Sequence, residues 1–404
     1  MGINSDGTTL IDNGLFENIG AVTWDTTAKT SGFTGVSGNG YFVNTSGGVV
    51  TANLPASPSA GDIVGIKDYA NTADTNNITI GRNGSNINGD AADYVINVEG
   101  LSAILVYIDG TQGWLITNSS QASDIAIPPA FVTATGGTIT TSGDFKIHTF
   151  TGPGTLCVSS AGNACGSNAV DYLTVAGGGG GAANSNGAGG AGAGGFRTSF
   201  PSPAGTVPVT VQGYPITVGG GGAGHVGDPE NAGNGVSGSN SIFSSFTSAG
   251  GGGGGGAGAG VAGGSGGGAG QGIGSGGAGN TPPVSPSQGN PGAAGAPGER
   301  GAGGGGAGAA GSSVTGGNGL ANSITGSAIT RGGGGGGGAR NVSPGNGAGG
   351  SGGGGAGACA ANGVAGTVNT GGGGGGAGRN TGTGLNNTGG AGGSGIVIIR
   401  YKFQ

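Results

Sequence analysis

The sequence is poor in charge, aromatics and cysteine. Of its 404 residues only 7% are charged and 5% aromatic, with two tryptophans and three cysteines. Seventeen acidic against eleven basic residues leave a formal charge of −6, so the basic footprint of a nucleic-acid binder is missing. No apolar run approaches the roughly 18–20 residues of a membrane span, and no membrane insertion is expected. The opening MGINSDG lacks the charged and apolar regions of a secretory signal, and Asp6 stands where N-myristoylation requires Ser or Thr. Scarce charge also argues against simple disorder, which goes with high charge and few β-branched residues.

Glycine fills the gap. There are 114 glycines and 16 prolines, a proportion that usually marks low-complexity chain. The glycine is uneven: 18 fall in residues 1–125 and 96 in the remainder. Residues 1–122 contain short segments rich in Val, Ile, Thr and Tyr, such as YFVNT (41–45), DIVGIKD (62–68), NNITIG (76–81) and SAILVYI (102–108). Turn residues separate them, which predicts a β-sandwich or barrel. Asp109-Gly110 ahead of Trp114 predicts a hairpin. A linker, 123–131, carries Pro128-Pro129. A second β segment, 132–176, leads into glycine-rich chain over 177–395, and an apolar strand closes the sequence at 396–404. The fold class expected is mostly β with essentially no α-helix.

Seven glycine runs begin at Gly177, Gly219, Gly250, Gly303, Gly332, Gly352 and Gly371. Ordering glycine is entropically costly, so ordered runs need a conformation that returns the cost. The polyproline-II helix provides one, with three residues per turn and no internal hydrogen bonds. Bare glycine helices can pack side by side and satisfy every backbone group on a neighbour. Turn residues between the runs suggest a chain that folds back repeatedly. The closing Ile396-Val397-Ile398-Ile399 needs a partner, and Tyr172-Leu173-Thr174-Val175 matches it in character. Residues 289–304 contain five Gly-x-y triplets with Pro291 and Pro297 third. So short a collagen-like piece fits better as one more helix of the array.

The order DYLTVAGGGGG, YPITVGGGGAG, SIFSSFTSAGGGGGG and GGSGIVIIRY resembles the glycine-rich domain of bacteriophage tail-fibre and adhesin proteins, as found in phages of marine bacteria and cyanobacteria. The upstream stretch from GAVTWDTTAKT to LVYIDGTQGWL is similar to a β module of such virion proteins. The resemblance implies a non-enzymatic virion fibre subunit with a polyglycine-II sandwich whose loops meet the host surface. It further implies a homotrimer, a host receptor that is a glycan or outer-membrane protein, other tail proteins as partners, and a virion location reached by lysis. Rival readings are a passive decoration fibre and an ice- or surface-binding polyproline-II protein.

Catalytic and cofactor chemistry finds no motif. His148 and His225 stand apart, without Cys or carboxylates at ligand spacing. Asp228 and Glu230 do not match a calcium loop, no carboxylate pair is nominated for glycoside hydrolysis, and Gly-x-Gly-x-x-Gly recurs here by composition alone. No metal or cofactor is expected. Receptor contact is expected from segments with varied side chains: His225, Asp228 and Glu230 within 225–246, the stretch 280–300, and Arg340, Asn341, Arg379 and Asn380 beside the later runs. Phe243 and Phe246 are expected to pack onto the sandwich side. Cys157 and Cys165 flank a turn and are candidates for a disulfide; a reducing cytoplasm favours free thiols at first.

Overall fold

The structure, a computed structural model, describes residues 4–5, 8–9, 22–120, 129–163, 166–184, 186–201, 207–227, 232–272, 274–295, 298, 300–340, 345–378 and 387–404. These form two units, Met1–Ile127 and Pro128–Gln404. The described residues are all β or irregular, with no α-helix.

The first unit faces two sheets across one core. Strands Thr23–Lys29, Asn39–Val43 and Ile63–Asp68 run parallel in one sheet. Strands Phe33–Thr34, Val50–Asn53 and Ile78–Gly81 run parallel in the other. The chain visits the two sheets alternately, so the sandwich is wound in coils and neither sheet closes into a barrel. Antiparallel strands Tyr94–Ile96, Ser102–Asp109 and Gly113–Ser120 finish the stack. The last two form the hairpin anticipated from Asp109-Gly110, with Asp109 opposite Gly113. Val43, Val64, Ile66, Ile78, Ile80, Leu105 and Trp114 fill the space between the sheets. Register explains two glycines. Trp24, Gly40 and Gly65 are consecutive partners across three strands, and a Cβ on Gly40 would lie 2.7 Å from the Trp24 indole. The bare ladder makes room for that ring.

The second unit begins with a β frame. Val132–Thr135, Gly154–Ala161, Gly213–Thr217, Ser241–Phe243 and Phe246–Ser248 make an antiparallel sheet. In the other sheet the closing strand Ile396–Lys402 lies between Phe145–Phe150 and Ala169–Val175. Its register sets Tyr172 opposite Ile399 and Val175 opposite Ile396. Alternation then divides its side chains: Val397, Ile399 and Tyr401 enter one apolar cluster with Leu156, Ile216 and Phe243. Ile396 and Ile398 enter another with Ile147, Leu173 and Phe196. Both ends of the glycine-rich chain are thereby fixed in one sheet.

The array itself is diagnosed by its hydrogen bonds. Along 176–182, Ala176, Gly179 and Ala182 donate to Gly195, Gly192 and Gly189. Gly177 and Gly180 donate to Ser239 and Val236, while Gly178 and Gly181 donate to Gly393 and Gly390. Each third amide returns to the same neighbour, which is the signature of a helix with three residues per turn. The carbonyls repeat the pattern toward three others. Gly177 and Gly180 accept from Gly251 and Gly254, Gly178 and Gly181 from Gly222 and His225, and Gly179 and Ala182 from Gly374 and Ala377. These bonds span 2.8–3.1 Å. Six segments thus surround this one, three antiparallel through its N–H groups and three parallel through its C=O groups. The run Gly332–Gly338 is likewise bonded to six segments, but with two antiparallel and one parallel neighbour through its N–H groups and the same mixture through its C=O groups. The seven runs are only part of the array, because 187–195, 233–240, 265–271, 289–295 and 387–395 are helices of it as well. The part of the Gly-x-y stretch described at 289–295 is one such element, with Gly292 and Gly295 donating to Gly277 and Gly274.

Frame side chains carry the bonding into the array. Ser241 Oγ accepts the Gly219 amide at 2.9 Å and donates to the Val175 carbonyl at 2.8 Å. Gln288, 1% exposed, accepts the Ala249 amide through Oε1. His148 is fully buried. Its Nδ1 lies 2.7 Å from the Gly136 carbonyl, which can only accept, so Nδ1 carries the proton and Nε2 receives the Tyr401 hydroxyl at 3.0 Å. That hydroxyl also accepts the Ala134 amide. His148 is therefore a neutral structural residue of the frame.

Two outcomes test this picture. A Cβ on Gly335 would stand 2.1 Å from the Gly374 carbonyl oxygen, whereas Gly220 has open space at that position. Gly335→Ala should therefore lower stability by about 1–3 kcal/mol or more through overpacking, and Gly335→Val further. Gly220→Ala should leave the thermal midpoint within a degree or two of the parent. Equal midpoints for Gly335→Ala and the parent would refute the packed array. The second outcome concerns acid. Burial holds the His148 imidazole below its ordinary value, so the unfolded chain takes up a proton near pH 6.5 that the folded chain refuses. The His148 contribution is complete above about pH 6.5 and declines as pH falls through that value. The midpoint should drop between about pH 7.5 and pH 5 by more in the parent than in His148→Gln; parallel pH profiles would contradict this.

Candidate functional site at the far end of the array

Helices of the array start and finish beside the frame: Ala176 donates to Gly195 where strand Ala169–Val175 ends and strand Phe196–Thr198 begins. The opposite end carries Ala183, Asn184, Asn186 and Gly187. Hydrogen bonds gather other turns there. The His225 amide donates to Gly181, Gly227 to Asn387 and Gly233 to Ala183. Gly187 bridges to Gly378, Ala339 bridges to Arg300 and Cys359, and Arg340 Nη1 donates to Asn186 Oδ1 at 3.1 Å.

His225 and Arg340, both singled out in the sequence, thus stand at the same end of the array. Asp228, Glu230, Asn341, Arg379 and Asn380 lie outside the described residues. The described chain approaches those stretches at this end, through Gly227, Arg340 and Gly378 on one side and Gly345 and Asn387 on the other. His225 differs from the exposed loop residue expected. It is half-buried, its ring fills the place of a side chain on Gly233 (a Cβ there would be 2.1 Å from Cε1), and its Nε2 is enclosed without a hydrogen-bond partner. Arg300 presents its guanidinium to Gly345, where a Cβ would lie 3.0 Å from Cζ.

The segments expected to be free loops are partly array. Within 225–246, residues 233–240 form a helix, and Phe243 and Phe246 join the aromatic cluster of the frame around Tyr172, as expected of them. Aromatics therefore do not furnish the far end. Cys157 is an exposed free thiol on the strand Gly154–Ala161, and Cys165 lies outside the described residues. No group of three or more His, Cys, Asp or Glu comes together among the described residues.

Asparagines at this end have a structural task that the sequence reading missed. Asn184 Nδ2 donates to the Gly256 carbonyl at 2.8 Å and Asn234 Oδ1 accepts the Gly256 amide at 2.9 Å. Asn346 donates to Gly357 at 2.9 Å, Asn387 donates to Gly378, and Asn362 accepts the Thr388 amide at 2.8 Å. A carboxamide offers the donor and acceptor of a peptide group, so it continues the array where a neighbouring helix has run out. The signal was available: asparagine sits beside glycine runs in AANSNG, NAGNG, SPGNG and LNNTGG. Asn234→Ala and Asn346→Ala should each reduce stability by about 0.5–1.5 kcal/mol in denaturant titrations, and an unchanged midpoint for both would remove the capping role.

The composition, the frame and the repeated three-fold bonding all point to a domain defined by its glycine. No curated protein matches the chain. The glycine-rich domain family matches residues 151–402, from the second strand pair of the frame to the closing strand and more than half of the 404 residues. The chain belongs to the glycine-rich domain family.

Proposed function

We propose that this protein is a non-enzymatic component of a bacteriophage virion, a fibre or adhesin subunit that contacts the host surface through the far end of its glycine array. The observation that carries the reading is segregation. The array interior offers almost entirely glycine and alanine, enclosed and with Ser265 as a buried exception, whereas His225, Arg300, Arg340 and Cys359 collect at one end. Chemical discrimination needs varied side chains, and guanidinium groups suit anionic or hydroxylated surfaces. The receptor is then a glycan or outer-membrane protein, and the partners are other tail proteins and further copies of this chain in a trimer. Release is by lysis. The six-fold bonding of the helices 176–182 and 332–338 is completed within one chain, so trimer contacts would be made elsewhere on the protein.

One observation favours a passive fibre instead: five asparagines near the far end are committed to backbone groups and are not free for a receptor. Loop exchange separates the two readings. Residues 340–345 and 379–386 are replaced by Gly-Ser-Asn loops of equal length, with Asn346 and Asn387 retained because they bond Gly357 and Gly378. The thermal midpoint should stay at the parental value while binding of the purified chain to susceptible cells, and adsorption of particles carrying it, are lost. Parental adsorption by the folded exchange variant would leave the passive fibre.

A further inference from the structure

A second recess lies at the frame end of the same unit, away from the far-end turns. It is a groove of about 250 Å³ lined by Tyr172, Phe196, Arg197, Phe246, Leu320 and the segment Ser285–Ser287. Tyr172 and Phe246 stack at its base, with centroids 4.4 Å apart and planes inclined by 27°. Leu320, 41% exposed, forms an apolar wall.

The Ser285–Ser287 wall is preorganised. Asn280 exchanges hydrogen bonds with Val284 through both ends of its carboxamide, at 3.0 and 3.1 Å. Buried Gln288 donates from Nε2 to the Pro282 carbonyl at 2.9 Å while its Oε1 holds the Ala249 amide. The segment is therefore tied both to itself and to the array.

Arg197 sets the electrostatics. Its guanidinium lies 5.7 Å from the Phe246 centroid, and Nη1 donates to the Thr247 carbonyl at 3.2 Å. Among the described residues no carboxylate stands within ion-pair distance of it; the ion pair present there is Lys29–Asp25 in the first unit. Arg197 thus offers a positive charge beside aromatic rings at the recess. Aromatic faces take the apolar C–H face of a ring ligand, a guanidinium pairs with a carboxylate, and serine hydroxyls serve ring hydroxyls.

The geometry points to a binding site for a carboxylate-bearing pyranose, a uronic acid unit of an acidic surface polysaccharide. The carboxylate meets Arg197, the ring lies on Phe246 between Leu320 and Pro286, and the Ser285 side receives its hydroxyls. The groove is separate from the far-end turns, so it stands or falls apart from their role in host contact.

The test is binding of methyl β-D-glucuronide to the purified full chain, followed by titration calorimetry and by amide shifts of Arg197, Phe246, Ser285 and Ser287. Methyl β-D-glucoside and N-acetylglutamate serve as the neutral ring and the ring-free carboxylate. The glucuronide should saturate and move those amides, with both controls weaker by about tenfold or more. Arg197→Gln should lose a similar factor, and Leu320→Ala, on an exposed wall, should weaken binding several-fold in a chain of parental thermal midpoint. If Arg197→Gln does not fold, Leu320→Ala and the two control ligands decide. Absence of saturation by the glucuronide, equal affinity for the glucoside or for N-acetylglutamate, or undiminished binding by the folded variants would each overturn the assignment. The far-end loop exchange should leave glucuronide affinity unchanged, which keeps this site distinguishable from the proposed host contact.

Discussion

A polyproline-II helix makes no hydrogen bonds within itself, and every other property of the glycine array follows from that. Each peptide group must find its donor and acceptor on other helices, and buried groups left without them are costly. Distances of 2.8–3.1 Å from 176–182 to six surrounding segments bring backbones so close that no side chain fits between. A Cβ on Gly178 or Gly181 would fall 2.0–2.1 Å from a carbonyl oxygen of 371–378. Glycine is thus a steric requirement at such positions, whereas buried alanines such as Ala182 and Ala191 stand where a methyl group fits. Loss of one helix would orphan groups on all of its neighbours, so the array should fold as a unit.

An array without side chains has no hydrophobic core, and the β frame supplies one. Its two apolar clusters share the closing strand, which gives Val397, Ile399 and Tyr401 to one and Ile396 and Ile398 to the other. Pairing Val175 with Ile396 closes more than two hundred residues of chain between adjacent strands, an entropic cost that grows only slowly with loop length. Frame polar groups are matched to array groups one by one. Ser241 bridges Gly219 and Val175, and Gln288 takes the Ala249 amide, so at these points the sheet ladder passes directly into the array.

Much of this was legible in the residues. The all-β class, the 104–117 hairpin and the pairing of Tyr172–Val175 with Ile396–Ile399 follow from alternation and apolar character. The coiled winding of the first unit did not, because a period-two pattern fixes which side chains face inward but not whether the next strand is parallel. Array helices such as 187–195 and 289–295 were harder to recognise than the runs, since alanine, asparagine and proline interrupt them. Those residues are admitted where their side chains meet no neighbouring backbone, a condition set by packing rather than by composition. At the far end His225 and Arg340 were identifiable as the varied residues beside runs. Their half-burial and the capping asparagines depend on which helices end where, and that is decided by the hydrogen-bond register of the whole array.

Separation of packing from chemistry also follows from the geometry. Within the array a side chain is excluded by the backbone of the next helix. At helix ends the exclusion lifts, first for carboxamides that imitate a peptide group, then for larger groups such as Arg340 that reach one of those carboxamides. At the frame end it lifts again where Tyr172, Phe196 and Phe246 border the array. The charged and aromatic side chains named above thus gather at its two ends, while the glycine between them presents a uniform backbone relieved by exposed apolar groups such as Val236 and Val364.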